Sequence, residues 1–359
     1  MRADLALIGF GNVGRRFARL LSERRGALLN EHDLDCRIVA IATRTRGAAC
    51  DPHGIGGIAA VELAEAGRSL VELHDPHGGD PPETGLDCID RLGDSIAPLR
   101  VVVEATTLAI EDGRPAIDHV EAAFRARCHV VTANKGPAAF AYRRLRSLAE
   151  IAGVSFFFEG AVMDGVPIFN LVRETLPAIT VNGFRGVINA TTNEILTALE
   201  DGEEFAAALA RMQAAGIAEA DPSLDIEGWD AAAKAAALAN VLLGSDVTPH
   251  DVHRAAVDPG AGAAARAARA QGKRLRLVAS ARRGGRPAVR LEELSADDLL
   301  GGLRGTANAL ILDTDLLGQI AICQLGGDLT QTAYALLSDL ITVRRRQRSL
   351  HAAPARRIP

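Results

Sequence analysis

The sequence predicts a two-domain α/β fold, on three observations. A short apolar strand, Leu5–Ile8, runs straight into Gly9-Phe10-Gly11-Asn12-Val13-Gly14 and then a helical pattern over Arg15–Ser22. Strand, G-x-G-x-x-G, helix is the context that makes this spacing a dinucleotide fingerprint. Apolar strand runs then alternate with helical patterns as far as Phe158, as a parallel sheet with crossover helices requires. At Glu159 that alternation stops, and helices mixed with alternating strands follow. The expected organisation is a Rossmann-type NAD(P)-binding domain over 1–158, joined by a return helix over 328–343. An α+β catalytic and dimerisation domain covers 159–325, and a basic, disordered tail covers 344–359. At 359 residues, two domains is also the expectation from length.

Composition narrows the function classes. Apolar residues make up 48% and charged residues 24%, which suits a soluble protein with real cores. A net charge of −5 gives no basis for nucleic-acid binding. No apolar run reaches the length of a membrane span, and the N-terminus goes directly into a strand without a signal-peptide pattern. The five cysteines are scattered with no C-x-x-C, which suits reduced thiols in the cytoplasm and argues against a zinc site.

In the fingerprint the first glycine makes the tight turn. The second lets the backbone approach a pyrophosphate, and the third lets helix pack on strand. The second strand, Arg37–Ala42, ends in Thr43-Arg44-Thr45-Arg46. An NAD site would place an acid there for the ribose hydroxyls, whereas arginine suits a 2′-phosphate. This favours NADP, the alternative being a solvated loop in an Arg-rich chain. Residues 47–98 are dense in Gly and Pro, with a helix expected over Ile58–Leu73, and His53, His74 and His77 read as loop residues. Leu99–Glu104 is a buried strand whose C-terminal end carries Thr106 and Thr107 toward the nucleotide. After a helix over Pro115–Ala126, the strand His129–Ala133 delivers Asn134 and Lys135 to the same kind of strand end. A helix over Ala138–Ala152 and a strand over Val154–Phe158 complete the domain.

The second domain opens with a loop, Glu159–Pro167, and a helix near Ile168–Thr175. A strand over Ile179–Asn189 and helices over Asn193–Leu199 and Glu203–Ala215 lead to Gly216–Lys234, around which the chain is organised. Here an acidic loop with Glu219, Asp221, Asp225 and Glu227 precedes a helix in which Asp230 and Lys234 lie four apart, on one face. A surface ion-pair cluster has the same spacing, but the chain has only three lysines, Lys135, Lys234 and Lys273, against 37 arginines. Arginine stays charged, whereas a desolvated lysine can give up its proton, so a retained lysine is a candidate for acid–base work. An Ala-rich helix over Asp230–Leu243 and a further helix over Gly260–Ala270 follow. Strands are expected over Leu275–Ala279, Ala288–Leu291, Ala307–Asp313 and Gly318–Cys323, then a last helix over Thr330–Val343.

These motifs together resemble homoserine dehydrogenase. The family's T-x-N-K stands as Thr132-Ala133-Asn134-Lys135, its E-x-x-V-x-x-G-x-P as Glu159 to Pro167, and its N-G-T-x-N-x-I-L as Asn189 to Leu196. Its long acidic signature ending in D-A-x-x-K runs from Gly216 to Lys234. The resemblance implies reversible NAD(P)-dependent interconversion of L-homoserine and L-aspartate 4-semialdehyde, in threonine, methionine and isoleucine biosynthesis. It implies Lys135 and Lys234 as catalytic lysines, with Asp230 orienting Lys234. Glu219 and Asp225 would hold the substrate amino group, and Thr191 would lie near its carboxylate. NADP, with NAD as the other option, would be bound by Gly9, Phe10, Gly11, Asn12, Val13, Gly14, Arg44, Thr106, Thr107 and Lys135. A monovalent cation, typically sodium, would be held by Glu159, Val162, Asp164 and Val166. The family is dimeric, so a homodimer acting on a small molecule is expected, with neither nucleic acid nor membrane as partner.

Four residues or segments depart from the family pattern: Ala190 for a glycine, Ile217 for a tyrosine, Asp164 in the cation loop, and the turn Gln324–Asp328. The first two motivate an alternative, a dehydrogenase of another amino-acid alcohol or amine. A non-catalytic NADP-binding sensor is a third reading, disfavoured because the lysines and acids are all present. A phosphorylating aldehyde dehydrogenase needs a cysteine nucleophile, and neither Cys128 nor Cys323 is at a suitable strand-to-helix turn. With no aspartokinase before the fingerprint and little chain after the last helix, no threonine inhibition through a regulatory domain is expected.

Overall fold

A computed structural model of the chain describes residues 1–215 and 221–352. It divides into two compact units, one of Met1–Pro137, Arg143–Gly165 and the chain from Asp328, the other of Ala138–Tyr142 and Val166–Gly327. Among the described residues no helix is long and apolar enough to cross a membrane.

The first unit is built on a six-stranded sheet. In chain order its elements are β1 (Arg2–Ile8), α1 (Asn12–Glu23), α2 (Arg25–His32), β2 (Asp35–Ala42), β3 (Ala48–Cys50), α3 (Gly57–Glu65), α4 (Gly85–Gly93), β4 (Leu99–Glu104), α5 (Ala116–Arg125), β5 (His129–Thr132), α6 (Gly136–Ala152) and β6 (Phe156–Phe157). The strand order is β3-β2-β1-β4-β5-β6, with every neighbour parallel except β3 on β2. The order reverses between β1 and β4, the topological switch point at which open α/β sheets bind ligands. β1 is buried from Ala3 onward, as a strand covered by helices on both faces must be.

The expected helix over Ile58–Leu73 is instead α3 followed by a short turn at Leu70–Leu73. Gly67, at φ +73°, breaks it. The chain also forms β3, α2 and α4, none of which the sequence reading anticipated.

The second unit comprises β7 (Val181–Val187), α7 (Ala190–Glu200), α8 (Phe205–Ala214), α9 (Ser223–Ile226), α10 (Trp229–Leu242), β8 (His253–Arg254), α11 (Ala261–Ala270), β9 (Lys273–Arg282), β10 (Ala288–Ser295), β11 (Asn308–Thr314) and β12 (Gly318–Gln324). Its sheet runs β12-β11-β7-β9-β10-β8, antiparallel except for β8 on β10. The helix expected near Ile168–Thr175 is only a short, wide turn over Leu171–Thr175.

The chain then returns to the first unit as α12 (Leu329–Ala352), whose Ala333, Leu336, Leu337, Leu340 and Val343 join Phe17 in that unit's core. The disordered tail expected over 344–359 needs correction for residues 344–352, which continue the helix. Arginines anchor it where apolar periodicity is missing: buried Arg344 pairs with Asp33 at 2.5 Å, and Arg346 lies over the Phe157 ring. The Glu159–Gly165 loop belongs to the first unit, where the Glu159 amide donates to buried Asp339 of α12 at 2.8 Å.

Candidate active site

In the first unit the fingerprint forms a cradle at the switch point. Gly9 sits at φ +92°, and a Cβ there would lie 2.5 Å from the Ala105 carbonyl carbon. A Cβ on Gly14 would lie 2.4 Å from the Gly9 carbonyl oxygen, so α1 packs too closely on the turn for any side chain. At Gly11 the opposite holds: a Cβ would meet nothing within 4 Å, which leaves open space over the first turn of α1. Backbone N–H groups facing open space at a helix N-terminus suit a pyrophosphate. Arg44 is exposed in the tight turn between β2 and β3, where Thr43 caps the Arg46 amide at 2.9 Å.

At the ends of β4 and β5 stands a residue that sequence reasoning missed. Glu104 is wholly buried and accepts hydrogen bonds from the Thr106 amide at 3.0 Å, the Thr106 hydroxyl and the Thr132 hydroxyl at 2.6 Å. Thr132 in turn accepts from the Asn134 amide at 3.0 Å, and Asn134 donates to the Thr106 carbonyl at 3.0 Å. Lys135 follows at the start of α6. The signal was a charged residue closing the apolar run Val101–Val103.

The second unit assembles the acidic signature. Asn189 caps α7 by accepting from the Thr192 amide at 2.8 Å. Its side-chain NH2 donates to Asp225 at 2.7 Å and to Asp230 at 2.8 Å, so one amide joins two carboxylates. Lys234 lies 3.0 Å from Asp230 and donates to the Ile188 carbonyl at 2.8 Å. Those two contacts leave the ammonium one further donor among the described residues. Burial pushes the Asp225 carboxyl above the usual aspartate range, and the neighbouring Asp230 charge pushes the same way. Hydrogen bonds from Asn189 and Thr191 and the Lys234 charge oppose the shift.

Two features position the lysine. Gly228 begins α10 at φ +80°, and a Cβ there would lie 2.4 Å from the Ala255 carbonyl oxygen. The following Trp229 is clamped between the His250 ring, edge-on at 5.3 Å, and the Arg254 guanidinium, 3.6 Å above its ring.

The structure therefore brings Thr191, Asp225, Asp230 and Lys234 together, and adds Asn189, which the sequence reading left in a motif without a role. Lys135, Thr106, Thr107, Arg44 and the fingerprint belong to the other unit. Glu219 and Ile217 lie outside the described residues. Ala190 is the first residue of α7, beside the Asn189 cap.

In the cation loop Glu159 and Val162 are buried, and Asp164 sits at φ +48° and accepts from the Thr332 hydroxyl at 2.9 Å. Val166 belongs to the second unit. Among the described residues no three His, Cys, Asp or Glu side chains group as a metal cage. The Gln324–Asp328 departure has a local explanation, since Asp328 caps α12 by accepting from the Thr330 amide at 2.7 Å. Burial pushes the Cys128 thiol up to about 11, which makes it a poor nucleophile at neutral pH.

Comparison with known proteins identifies the family. The family "Homoserine dehydrogenase, NAD binding domain" matches residues 9–159, and the family "Homoserine dehydrogenase" matches residues 167–341. An NAD(+)-dependent homoserine dehydrogenase from Pseudomonas canavaninivorans is 33% identical over 94% of this chain and 95% of its own. The crystal structure of a homoserine dehydrogenase from Thiobacillus denitrificans superposes with a TM-score of 0.79 at 28% identity, covering 100% of this chain and 76% of that one. A hyperthermophilic archaeal homoserine dehydrogenase in complex with NADPH superposes at 0.76 with 27% identity, covering 96% of this chain and 98% of its own. The chain belongs to the homoserine dehydrogenase family of NAD(P)-dependent oxidoreductases.

Proposed function

We propose that the protein interconverts L-homoserine and L-aspartate 4-semialdehyde, with NADP preferred over NAD, in amino-acid biosynthesis. The observation that carries this reading is the hydrogen-bonded Asn189–Asp225–Asp230–Lys234 constellation, largely shielded from solvent. Oxidation of an alcohol requires loss of a hydride and a proton together. The nicotinamide, when bound, supplies the hydride acceptor. Lys234 handles the proton: its spare donor faces the substrate oxygen, gives a proton when the aldehyde is reduced and takes one when the alcohol is oxidised. Asp230, one turn earlier on the same face, holds the lysine head in place. Asp225, with Glu219, receives the substrate ammonium, and Thr191 stands by its carboxylate. Lys135 acts as the second catalytic lysine.

On the nucleotide side, the open space at Gly11 supports pyrophosphate binding by the turn and first N–H groups of α1, and Thr106 and Thr107 follow the carboxyl end of β4. Arg44 supplies charge for a 2′-phosphate. One relative acts with NAD and another is seen with NADPH, and in this chain Arg44 is the residue that favours NADP. Glu159 and Asp164, with the carbonyls of Val162 and Val166, would supply an all-oxygen donor set suited to a hard cation such as sodium. There the cation would offset the buried Glu159 charge. The second unit's sheet ends in β12, with Ala321 and Cys323 exposed along it, and this open edge supports a homodimer paired through that unit.

The test is the initial rate of homoserine-dependent reduction of NADP and NAD, against a panel of other amino-acid alcohols. Homoserine with NADP is expected to be the best pair. Arg44→Ser is expected to lower the NADP/NAD preference by about tenfold, one lost charge-assisted contact. An unchanged ratio would reduce Arg44 to a solvated loop residue. A better rate with another alcohol would move the substrate assignment to the alternative that Ala190 suggests.

A further inference from the structure

The carboxyl ends of β4 and β5 are tied through one buried carboxylate. Every bond in the tie has a fixed direction. The Thr106 amide can only donate, so Glu104 accepts from it at 3.0 Å. The Thr132 hydroxyl accepts the Asn134 amide and therefore spends its proton on Glu104, at 2.6 Å. Asn134 donates to the Thr106 carbonyl and accepts from the Gly136 amide at 2.8 Å. The bonds form a closed ring, Thr106–Glu104–Thr132–Asn134 and back to Thr106. Lys135 lies between Asn134 and Gly136, both of which the ring holds.

A wholly buried carboxylate is costly unless charge or hydrogen bonds compensate it. The nearest imidazole does not supply a hydrogen bond. His119 Nδ1 is 3.9 Å from Glu104 Oε1, and that nitrogen has no hydrogen-bond partner among the described residues. An apolar residue would extend the strand at lower cost, as Val101, Val102 and Val103 do. The costly group stands at strand ends on the ligand-binding edge of the sheet.

We infer that Glu104 is a positioning residue for the reaction. It fixes the Asn134-Lys135-Gly136 turn relative to Thr106, so that the Lys135 side chain departs from a backbone with one setting. The inference rests on Lys135 acting in the proposed reaction. A tie that served only stability would move the unfolding midpoint and leave turnover alone. A positioning residue moves kcat, because a misplacement of about 1 Å at a reacting group can cost about a hundredfold.

The experiment compares wild type, Glu104→Gln, Thr132→Val and the double variant in the homoserine–NADP assay, with NADPH affinity and thermal midpoint measured alongside. The expected result is a fall in kcat of about tenfold or more in each single variant. The KM for homoserine and the NADPH affinity should stay within about threefold, and the double variant should be no slower than the slower single, as for two members of one network. A folded Glu104→Gln enzyme with wild-type kcat, or single effects that multiply in the double variant, would overturn the inference. Should Glu104→Gln fail to fold, Thr132→Val, which touches the carboxylate from one side only, decides by the same kcat-against-KM split. Wild type that binds NADPH but does not turn over homoserine would sink the proposed function first and this inference with it.

Discussion

Lysine scarcity singled out three residues, and the structure separates them. Lys273 is half-exposed and pairs with Glu293 across the β9–β10 ladder at 3.1 Å, a task an arginine could perform. Lys234 is largely buried in a network whose other members are two acids and an amide. Spacing alone placed Asp230 and Lys234 on one face. It could not show that Asn189, some forty residues earlier, joins Asp225 to Asp230, because that contact depends on how α7 and α10 pack. Asn189→Ala should therefore remove a helix cap and two carboxylate partners at once. We expect kcat/KM to fall by about a hundredfold or more and stability to drop by about 1–2 kcal/mol, read by kinetics and denaturant melts. Asp225 carries the opposite balance. A carboxyl whose folded pKa is raised favours the fold at low pH and disfavours it once pH rises through that value. Asp225→Asn should thus raise the thermal midpoint at pH 7. The gain should fade below about pH 4, while the KM for homoserine rises. A lower midpoint at pH 7 would show that Asp225 is held favourably after all.

The helices carrying chemistry were the legible elements. The expected helix over Asp230–Leu243 is α10, displaced by one residue, because an unbroken Ala-rich stretch after a glycine has few other options. Its Ala231, Ala232, Ala233, Ala235, Ala236 and Ala237 are all buried, so the helix is surrounded rather than amphipathic. The region over 47–98 was least legible, since dense Gly and Pro hide short elements. Yet α4 carried a signal: Thr84 and Asp87 form a reciprocal capping box, with Asp where Glu or Gln is usual. His74, read as a loop residue, pins that region by accepting from the Cys50 amide at 3.1 Å. Gly228→Ala is the sharpest element-scale test. The substitution meets both a left-handed backbone and the Ala255 carbonyl, so α10 must shift or strain by about 1–3 kcal/mol. We expect both a lower melting midpoint and a kcat loss, since Asp230 and Lys234 move with the first turns. Loss of stability with unchanged kcat would mean the lysine tolerates displacement.

For the whole molecule, local patterns announced two units but did not order their strands. β7 pairs with β9 and β11, both far along the chain, and no local pattern encodes that choice. Nucleotide binding should stabilise the first unit specifically. NADPH at about a hundred times its Kd adds about 2.7 kcal/mol to whatever binds it, so hydrogen exchange should slow across β1, β4 and β5. Equal protection of both units would call for a different account. Acid should loosen the same unit. Burial, with help from the Arg100 charge, pushes His129 down to about 4, and it is held neutral by accepting from the Ser155 amide at 2.9 Å. A lowered histidine gives stability that is present above its unfolded pKa and lost as pH falls toward the folded value. On the order of 3 kcal/mol should disappear between about pH 6.5 and 4, and His129→Gln should flatten that part of a melting-midpoint profile.

The central claim is that Lys234 moves the proton of homoserine, and charge-preserving substitution tests it most directly. Homoserine-dependent NADPH formation should be measured for wild type, Lys234→Ala and Lys234→Arg, with NADPH binding as the control for folding. The account predicts robust turnover in wild type and a loss of about a thousandfold or more in both variants, because arginine keeps the charge but does not give up a proton. An Lys234→Arg enzyme within about tenfold of wild type would contradict it and leave this lysine a purely electrostatic part.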